Sequence, residues 1–197
     1  MSKGKRPKAE SVETTSVSFS LPVSLPFGWG SVVMSDGRLV SVEWENTRER
    51  LEAVLAKKYP RADEIAWDES GTGKILEEYA GGEVLSPREI FALPIAWERI
   101  AGFHGRVLRE TAKILYGRTL TYGELAARSG SPGAARATGA ALAGNPWPIL
   151  VPCHRVLGGG GKLVGFGKGL PAKEALLRFE AQNLRLRESC PIKRQYV

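Results

Sequence analysis

The sequence predicts an α+β protein in which a small sheet-plus-helix unit is followed by a mostly helical one. Three observations predict it: apolar segments around a strong hairpin turn near the N-terminus, a crowding of helix signals with short connections after Pro94, and a reversal of charge between the halves. Residues 9–97 carry eight Lys or Arg against fifteen Asp or Glu, a balance of −7. Residues 98–197 carry sixteen basic and six acidic groups, a balance of +10. The expected organisation is a disordered basic arm at 1–8, an α+β scaffold domain at 9–97, a mostly helical domain at 98–188, and a tail at 189–197.

In the first unit, apolar residues from Val17 to Val23 precede Trp29-Gly30-Ser31-Val32-Val33-Met34, and Asp36-Gly37 is a hairpin turn leading into Arg38 to Trp44. Asn46 with Glu49 has the form of a capping box, opening a helix through Leu51, Val54, Leu55 and Tyr59 that Pro60 stops. A second short helix is expected over Ile75 to Tyr79, ended by Gly81-Gly82. Trp29, Trp44 and Trp67 read as core or hairpin packing.

In the second unit, Val107, Leu108, Ala112 and Leu115 give helical spacing from Gly105 to Tyr116, closed by Gly117. Thr121-Tyr122-Gly123-Glu124 is a capping-box pattern leading a short helix to Gly130, and Ser131-Pro132 is expected to start another that runs to about Ala143. Two short helices joined by a tight glycine turn in the basic half fit a helix-turn-helix. A final helix is expected from Ala172 to about Asn183.

Composition excludes several classes. There is no apolar run of membrane-spanning length and no apolar segment behind the basic start, so neither a membrane anchor nor a secretory leader is expected. Two cysteines far apart, Cys153 and Cys190, imply no disulfide framework, and a reducing cytoplasm is the natural setting. Residues 9–97 contain neither Cys nor His, so no metal site is expected there. The basic second half favours a polyanionic partner, because clustered Lys and Arg neutralise phosphate. The segment Gly133 to Ala143 offers one arginine, Arg136, amid alanine and glycine. Small side chains suit close approach to the minor groove, with Arg136 as the projecting group; tight packing inside the protein fits the same composition.

The chemistry centres on Pro152-Cys153-His154-Arg155-Val156. A thiol is a weak nucleophile at neutral pH unless a base or positive surroundings draw off its proton. His154 is adjacent in sequence, but neighbouring side chains diverge, so it would act through a bridging water. Glu180, on the final helix, is the candidate to orient the imidazole. Asn145, with prolines at 146 and 148, would fix the turn into the cysteine by side-chain to backbone hydrogen bonds. A structural cysteine in a buried strand fits the bare Cys-His pair as well.

The run Asn145-Pro146-Trp147-Pro148-Ile149-Leu150-Val151-Pro152-Cys153-His154-Arg155-Val156 is followed by Gly161-Lys162-Leu163 and by Gly169-Leu170-Pro171-Ala172-Lys173-Glu174 onward to Glu180. With Tyr122-Gly123-Glu124-Leu125-Ala126 and Ala134-Ala135-Arg136-Ala137 upstream, it resembles the O6-alkylguanine-DNA alkyltransferase family across essentially the whole second half. The first half resembles, in size and pattern, the ribonuclease-H-like domain found there, and the second its winged helix-turn-helix domain. The resemblance implies direct, irreversible transfer of an alkyl group from O6 of guanine in duplex DNA to Cys153, with the base flipped out and no cofactor or metal.

It also implies roles. His154, held by Glu180, would take the thiol proton through water, with Asn145 in support, and Tyr122 would donate a proton toward the guanine and help rotate its phosphate. The carbonyls of Cys153 and Val156 would read the guanine amino group, with Phe166, Gly167 and Lys168 along the pocket turn. Arg136 would fill the vacated stack, while Gly123, Ser131, Ala135, Ala137, Gly139 and Gly159 would lie along DNA and His104 near it. The family often has tyrosine where Phe166 stands and a small residue where Lys168 stands, so this lysine would narrow the pocket or reach a phosphate. The resemblance implies a monomer, with cooperative DNA binding left open. A noncatalytic damage sensor of the same fold and a thiol hydrolase remain as alternatives; the sensor would lack the cysteine, and the hydrolase would need an oxyanion site.

Overall fold

A computed structural model describes residues 17–20, 23–25, 27–65 and 72–189. The basic arm, Trp67 and Cys190 lie outside the described residues.

The hairpin forms where the sequence places it. Strands β3 (Gly28–Ser35) and β4 (Arg38–Glu45) pair antiparallel across Asp36-Gly37, whose φ values of 50° and 72° give the left-handed turn that matches strand twist. Strands β1 (Val17–Ser20) and β2 (Val23–Leu25) both pair antiparallel with β3, and β5 (Asp63–Ile65) adds parallel to β1, completing a five-stranded sheet. Helix α1 (Arg48–Lys58) packs on β3 and β4 through buried Leu51 and Leu55 against Val33. Its cap is Thr47, whose hydroxyl accepts from the Arg50 amide at 3.3 Å, so the Asn46 box falls one residue early. Helix α2 (Gly73–Ala80) buries Ile75, Leu76 and Tyr79 and ends at Gly81, as its spacing predicts. Helix α3 (Pro87–Ala92) and β5 are additions to the sequence reading. The signal for α3 was present, since Ser86 and Glu89 make a reciprocal capping box with Pro87 in the first turn. Three-residue β5 lacks enough alternation to announce itself.

In the second half, α4 (Gly102–Ala112) begins and ends earlier than its apolar spacing implies. The chain leaves it at Lys113, exposing Leu115 and turning at Gly117 with φ of 69°. Helix α5 (Tyr122–Arg128) opens on the capping box of Thr121 and Glu124. Helix α6 (Ala135–Ala143) starts four residues after Ser131, because Gly133 at φ of 84° interrupts the helical path. The predicted helix pair is therefore present, but joined by a longer turn. Both helices pack on α4 and on each other. The last helix, α7 (Leu170–Ser189), runs past both expected ends.

The larger of two hydrophobic core clusters among the described residues runs through both halves, from Leu25 and Trp44 to Val107, Trp147, Val156 and Leu176. Backbone contacts reinforce it: the Val42 amide donates to the Pro146 carbonyl at 2.8 Å, and the Trp147 indole donates to the Leu39 carbonyl at 3.1 Å. The β4 edge thus buttresses the turn leading to Cys153.

Candidate active site

Two short parallel strands, β6 (Leu120–Thr121) and β7 (Val156–Leu157), set the site. Pairing Leu120 with Val156 brings the start of α5, and with it Tyr122, beside the segment that follows the cysteine. Cys153, His154 and Arg155 form one 3₁₀ turn directly before β7. Successive side chains diverge there, and all three are buried.

Asn145 ties down the approach. Its Oδ1 accepts from the Trp147 amide at 3.0 Å, and its Nδ2 donates to the Val151 carbonyl at 2.8 Å and to Cys153 Sγ at 3.3 Å. Between these anchors, buried Ile149 is held at φ of 75°, a conformation that a β-branched residue rarely adopts.

Behind the cysteine, His154 Nε2 lies 2.8 Å from Glu180 Oε1, with both side chains fully out of solvent. Burial opposes the charge on Glu180, but the hydrogen bond from His154 and the Arg155 guanidinium outweigh it and bring the carboxyl down to about 2. Glu180 is therefore an acceptor, which assigns the imidazole proton to Nε2 and leaves a lone pair on Nδ1. Nδ1 is buried and has no hydrogen-bond partner among the described residues. Burial also lowers the proton affinity of His154, despite Glu180, so the ring rests neutral. Burial raises the Cys153 thiol above its ordinary value, against the donor of Asn145 and the charge of Lys173. The resting group is a thiol, and the neutral imidazole of His154 follows it in the same turn.

Arg155 reads from sequence as a simple cation beside the cysteine. In the fold it is buried, donates from Nε and Nη2 to Glu180, donates from Nη1 to the Ile114 carbonyl at 2.6 Å, and lies over the Tyr116 ring at 5.2 Å. Lys173 stands in the same motif, and the motif itself carries no sign of its role. It is wholly buried, and Nζ donates to the carbonyls of Val156 at 2.6 Å, Val164 at 2.8 Å and Gly165 at 3.3 Å, below the Tyr122 ring at 5.6 Å. A signal for it existed: Lys173, Leu176 and Glu180 share one helical face, and charges on an apolar stripe call for buried partners.

Cys153 opens onto a cavity of about 520 Å³ bounded by Tyr122, Gly139, Leu142 and the segment Val164 to Gly167. This volume lies within the range of small-molecule sites. Gly139 matters to its shape, because a Cβ there would stand 3.6 Å from the Tyr122 ring. Tyr122 donates to the Gly165 carbonyl at 3.0 Å, fastening the opposite wall. A second, more open cleft of about 450 Å³ adjoins at Tyr122 and Ala135 and includes Gly123, Arg136 and Gly159. Arg136 is exposed on α6, as is Ala137, while Ser131 is half-buried in the turn before that helix.

Phe166 stands where the pocket turn was expected, while Lys168 and His104 stand differently. Lys168 does not line the cavity; it is exposed, and its Nζ pairs with Glu45 at the end of β4, 2.6 Å away. Phe166 lines the cavity and leans on Trp44, with ring centroids 6.2 Å apart, so the pocket wall is held to the first half at two points. His104 is half-buried against Gly144, and its Nε2 is sealed without a partner among the described residues. No cluster of three metal-ligating side chains occurs among the described residues, nor is any described helix long and apolar enough to cross a membrane.

Residues 102–182 match the family described as 6-O-methylguanine DNA methyltransferase, DNA binding domain. The chain is 38% identical over 151 residues to a methylated-DNA–protein-cysteine methyltransferase of Salmonella typhimurium, covering 73% of this chain and 83% of that protein. A protein of the same name from Mycolicibacterium paratuberculosis is 52% identical over 81 residues, which span 41% of this chain and about half, 49%, of that protein. In three dimensions the chain is similar to OGT of Mycobacterium tuberculosis in a crystal complex with DNA, with a TM-score of 0.66 and 32% identity over 84% of this chain and 93% of that one.

Proposed function

The chain belongs to the methylated-DNA–protein-cysteine methyltransferase family, and from that premise we propose that it repairs O6-alkylguanine in double-stranded DNA by moving the alkyl group onto Cys153, once per molecule. The observation that carries this reading is the continuous line from cavity to relay: Sγ at the cavity, Asn145 on the sulfur, and the His154–Glu180 pair behind it.

Sγ attacks the alkyl carbon, the S–C bond forms, and the C–O6 bond breaks with its electrons passing into the guanine ring. The thiol proton passes through one water to Nδ1 of His154, whose Nε2–H is already fixed on Glu180. The Tyr122 hydroxyl protonates the departing base, which leaves neutral, and the imidazolium proton finally replaces the one Tyr122 gave. No cofactor enters the balance. A thioether lacks the leaving-group character needed for a second transfer, so the reaction stops with Cys153 alkylated.

A base inside a duplex is out of reach of a buried thiol, so the nucleotide must swing out into the cavity. The carbonyls of Cys153 and Val156 accept from its amino group, and Lys173 holds the Val156 carbonyl in register. Arg136 enters the vacated stack while small residues along α6, among them Ala135, Ala137 and Gly139, let the helix approach the minor groove. Gly123 and Gly159 flank the adjoining cleft, which suits the sugar-phosphate path beside a flipped nucleotide. His104 and Ser131 lie at the margin of this surface. The protein acts as a monomer in the cytoplasm, in a scaffold domain at 9–97 and a DNA-binding domain at 98–188.

Titrating the protein with duplex oligonucleotide containing O6-methylguanine tests the reading. Repair should plateau at one equivalent per protein. No repair with retained binding supports a sensor, and repair that continues past one equivalent supports a hydrolase.

A further inference from the structure

The His154–Glu180 pair is completed from the other half of the chain. Tyr79, on α2, is fully buried, and its hydroxyl donates to Glu180 Oε1 at 3.1 Å, on the same oxygen that receives His154 Nε2 at 2.8 Å. Its ring is fixed edge-on against Tyr116, with centroids 6.0 Å apart, and tilted against Phe179 at 5.7 Å. Burial, reinforced by the Glu180 charge, pushes the phenol well above its ordinary value, so Tyr79 is a permanent donor at working pH.

We propose that Tyr79 is a positioning residue for the proton relay, through which the first half of the chain sets the base strength of His154. This rests on the alkyl-transfer reading of the site. Oε1 is shared by three donors: His154, Arg155 and Tyr79. Oε2 takes Arg155 Nε at 3.0 Å and the Gly117 amide at 3.1 Å. Each donor withdraws charge from the carboxylate and weakens its pull on the imidazole proton. Three of the donor residues, His154, Arg155 and Gly117, belong to the second half, and among the described residues Tyr79 alone donates to Glu180 from the first. The other titratable groups facing the relay are Cys153 and Arg155 on its own turn, Lys173 on α7, and Tyr116. Tyr116 is in turn held by Asn183 at 3.1 Å and feels the charge of Arg187.

The arrangement has a directional consequence. With the Tyr79 hydroxyl removed, Glu180 becomes the stronger acceptor, the Nε2 proton is drawn toward it, and Nδ1 gains proton affinity. With a more acidic phenol at the same place, the reverse holds.

The test compares wild type, Tyr79→Phe, and protein carrying 3-fluorotyrosine at position 79. The second keeps the ring, and the third keeps the hydroxyl and differs by one fluorine, so a reading survives even if the Phe variant folds poorly. Two quantities are measured: the proton resonance of His154 Nε2, and the acid limb of the single-turnover rate with O6-methylguanine duplex. Tyr79→Phe should move the resonance downfield and the acid limb up by about half a pH unit, whereas fluorotyrosine should move both the other way. Resonances and limbs that coincide with wild type in both proteins, whatever happens to melting temperature, overturn the role. The resonance needs no alkyl transfer, so a wild-type protein that fails to take up methyl from DNA counts against the alkyl-transfer reading and leaves the relay assignment to be decided by the resonance.

Discussion

Lys173 Nζ lies 2.6 Å from the Val156 carbonyl, and the same ammonium reaches the carbonyls of Val164 and Gly165 on the far wall of the cavity. One buried cation thus pins the floor strand β7 and the wall segment together. Burial lowers its proton affinity, while the nearby Cys153 side chain acts to raise it.

Lys173→Met keeps the length of the side chain and removes its donors. Leaving buried carbonyls unpaired costs about 1–3 kcal/mol each, and each 1.4 kcal/mol of lost transition-state positioning is about tenfold in rate. The variant should melt at lower temperature and repair O6-methylguanine duplex at least about tenfold more slowly. Calorimetry and single-turnover kinetics check both.

Glu180→Gln removes the only carboxylate that Arg155 meets among its described partners. Breaking a buried ion pair from one side costs about 3–5 kcal/mol, far above the exposed Arg48–Glu52 pair, which belongs to a class worth about 0–1 kcal/mol. Denaturant unfolding should show a large loss for Glu180→Gln and a near-neutral effect for Glu52→Gln. Equal losses would contradict the buried-network account.

The same carboxylate governs acid stability. Its folded value, about 2, lies below the ordinary 4.5, so its contribution is complete above the unfolded value and disappears as pH falls from about 4.5 toward 2. His154, whose proton affinity is lowered in the fold, loses stability in the same direction, because acid must charge a buried neutral ring. Melting temperature measured between pH 7 and pH 2 should drop steeply across the acidic range, and Glu180→Gln should flatten that drop.

Arg136 stands exposed at the cleft beside the cavity. Arg136→Ala should slow repair of duplex DNA by about tenfold or more, an amount equal to about 1.4 kcal/mol, while reaction with free O6-benzylguanine should be unchanged. Equal loss with both substrates would remove the stacking role, since the free base has no stack to fill.

Much of this was legible before the fold. Asp36-Gly37 announced the β3–β4 hairpin, and Thr121 with Glu124 announced α5, because both signals are local and depend on few residues. Cys153, His154, Asn145 and Glu180 were legible as a group through the motif they share, and the fold brings them together. What escaped depends on long-range pairing. Tyr79 meets Glu180 across 101 residues, and Lys168 meets Glu45 across 123, separations at which no periodicity speaks. The start of α6 was misplaced because Ser131-Pro132 carries the right chemistry for a helix start, yet Gly133 takes the left-handed conformation. Lys173 was hidden because a lysine in a helix reads as solvated, and only the carbonyls arranged around it reveal otherwise.

The most direct test of the central claim is peptide mass mapping of the protein after reaction with duplex DNA containing O6-methylguanine. One methyl group should appear on the peptide containing Cys153, with fragmentation placing it on that cysteine, and Cys153→Ala should remain unmodified. A methyl on Cys190 or elsewhere, or restored guanine with unmodified Cys153, would contradict the account.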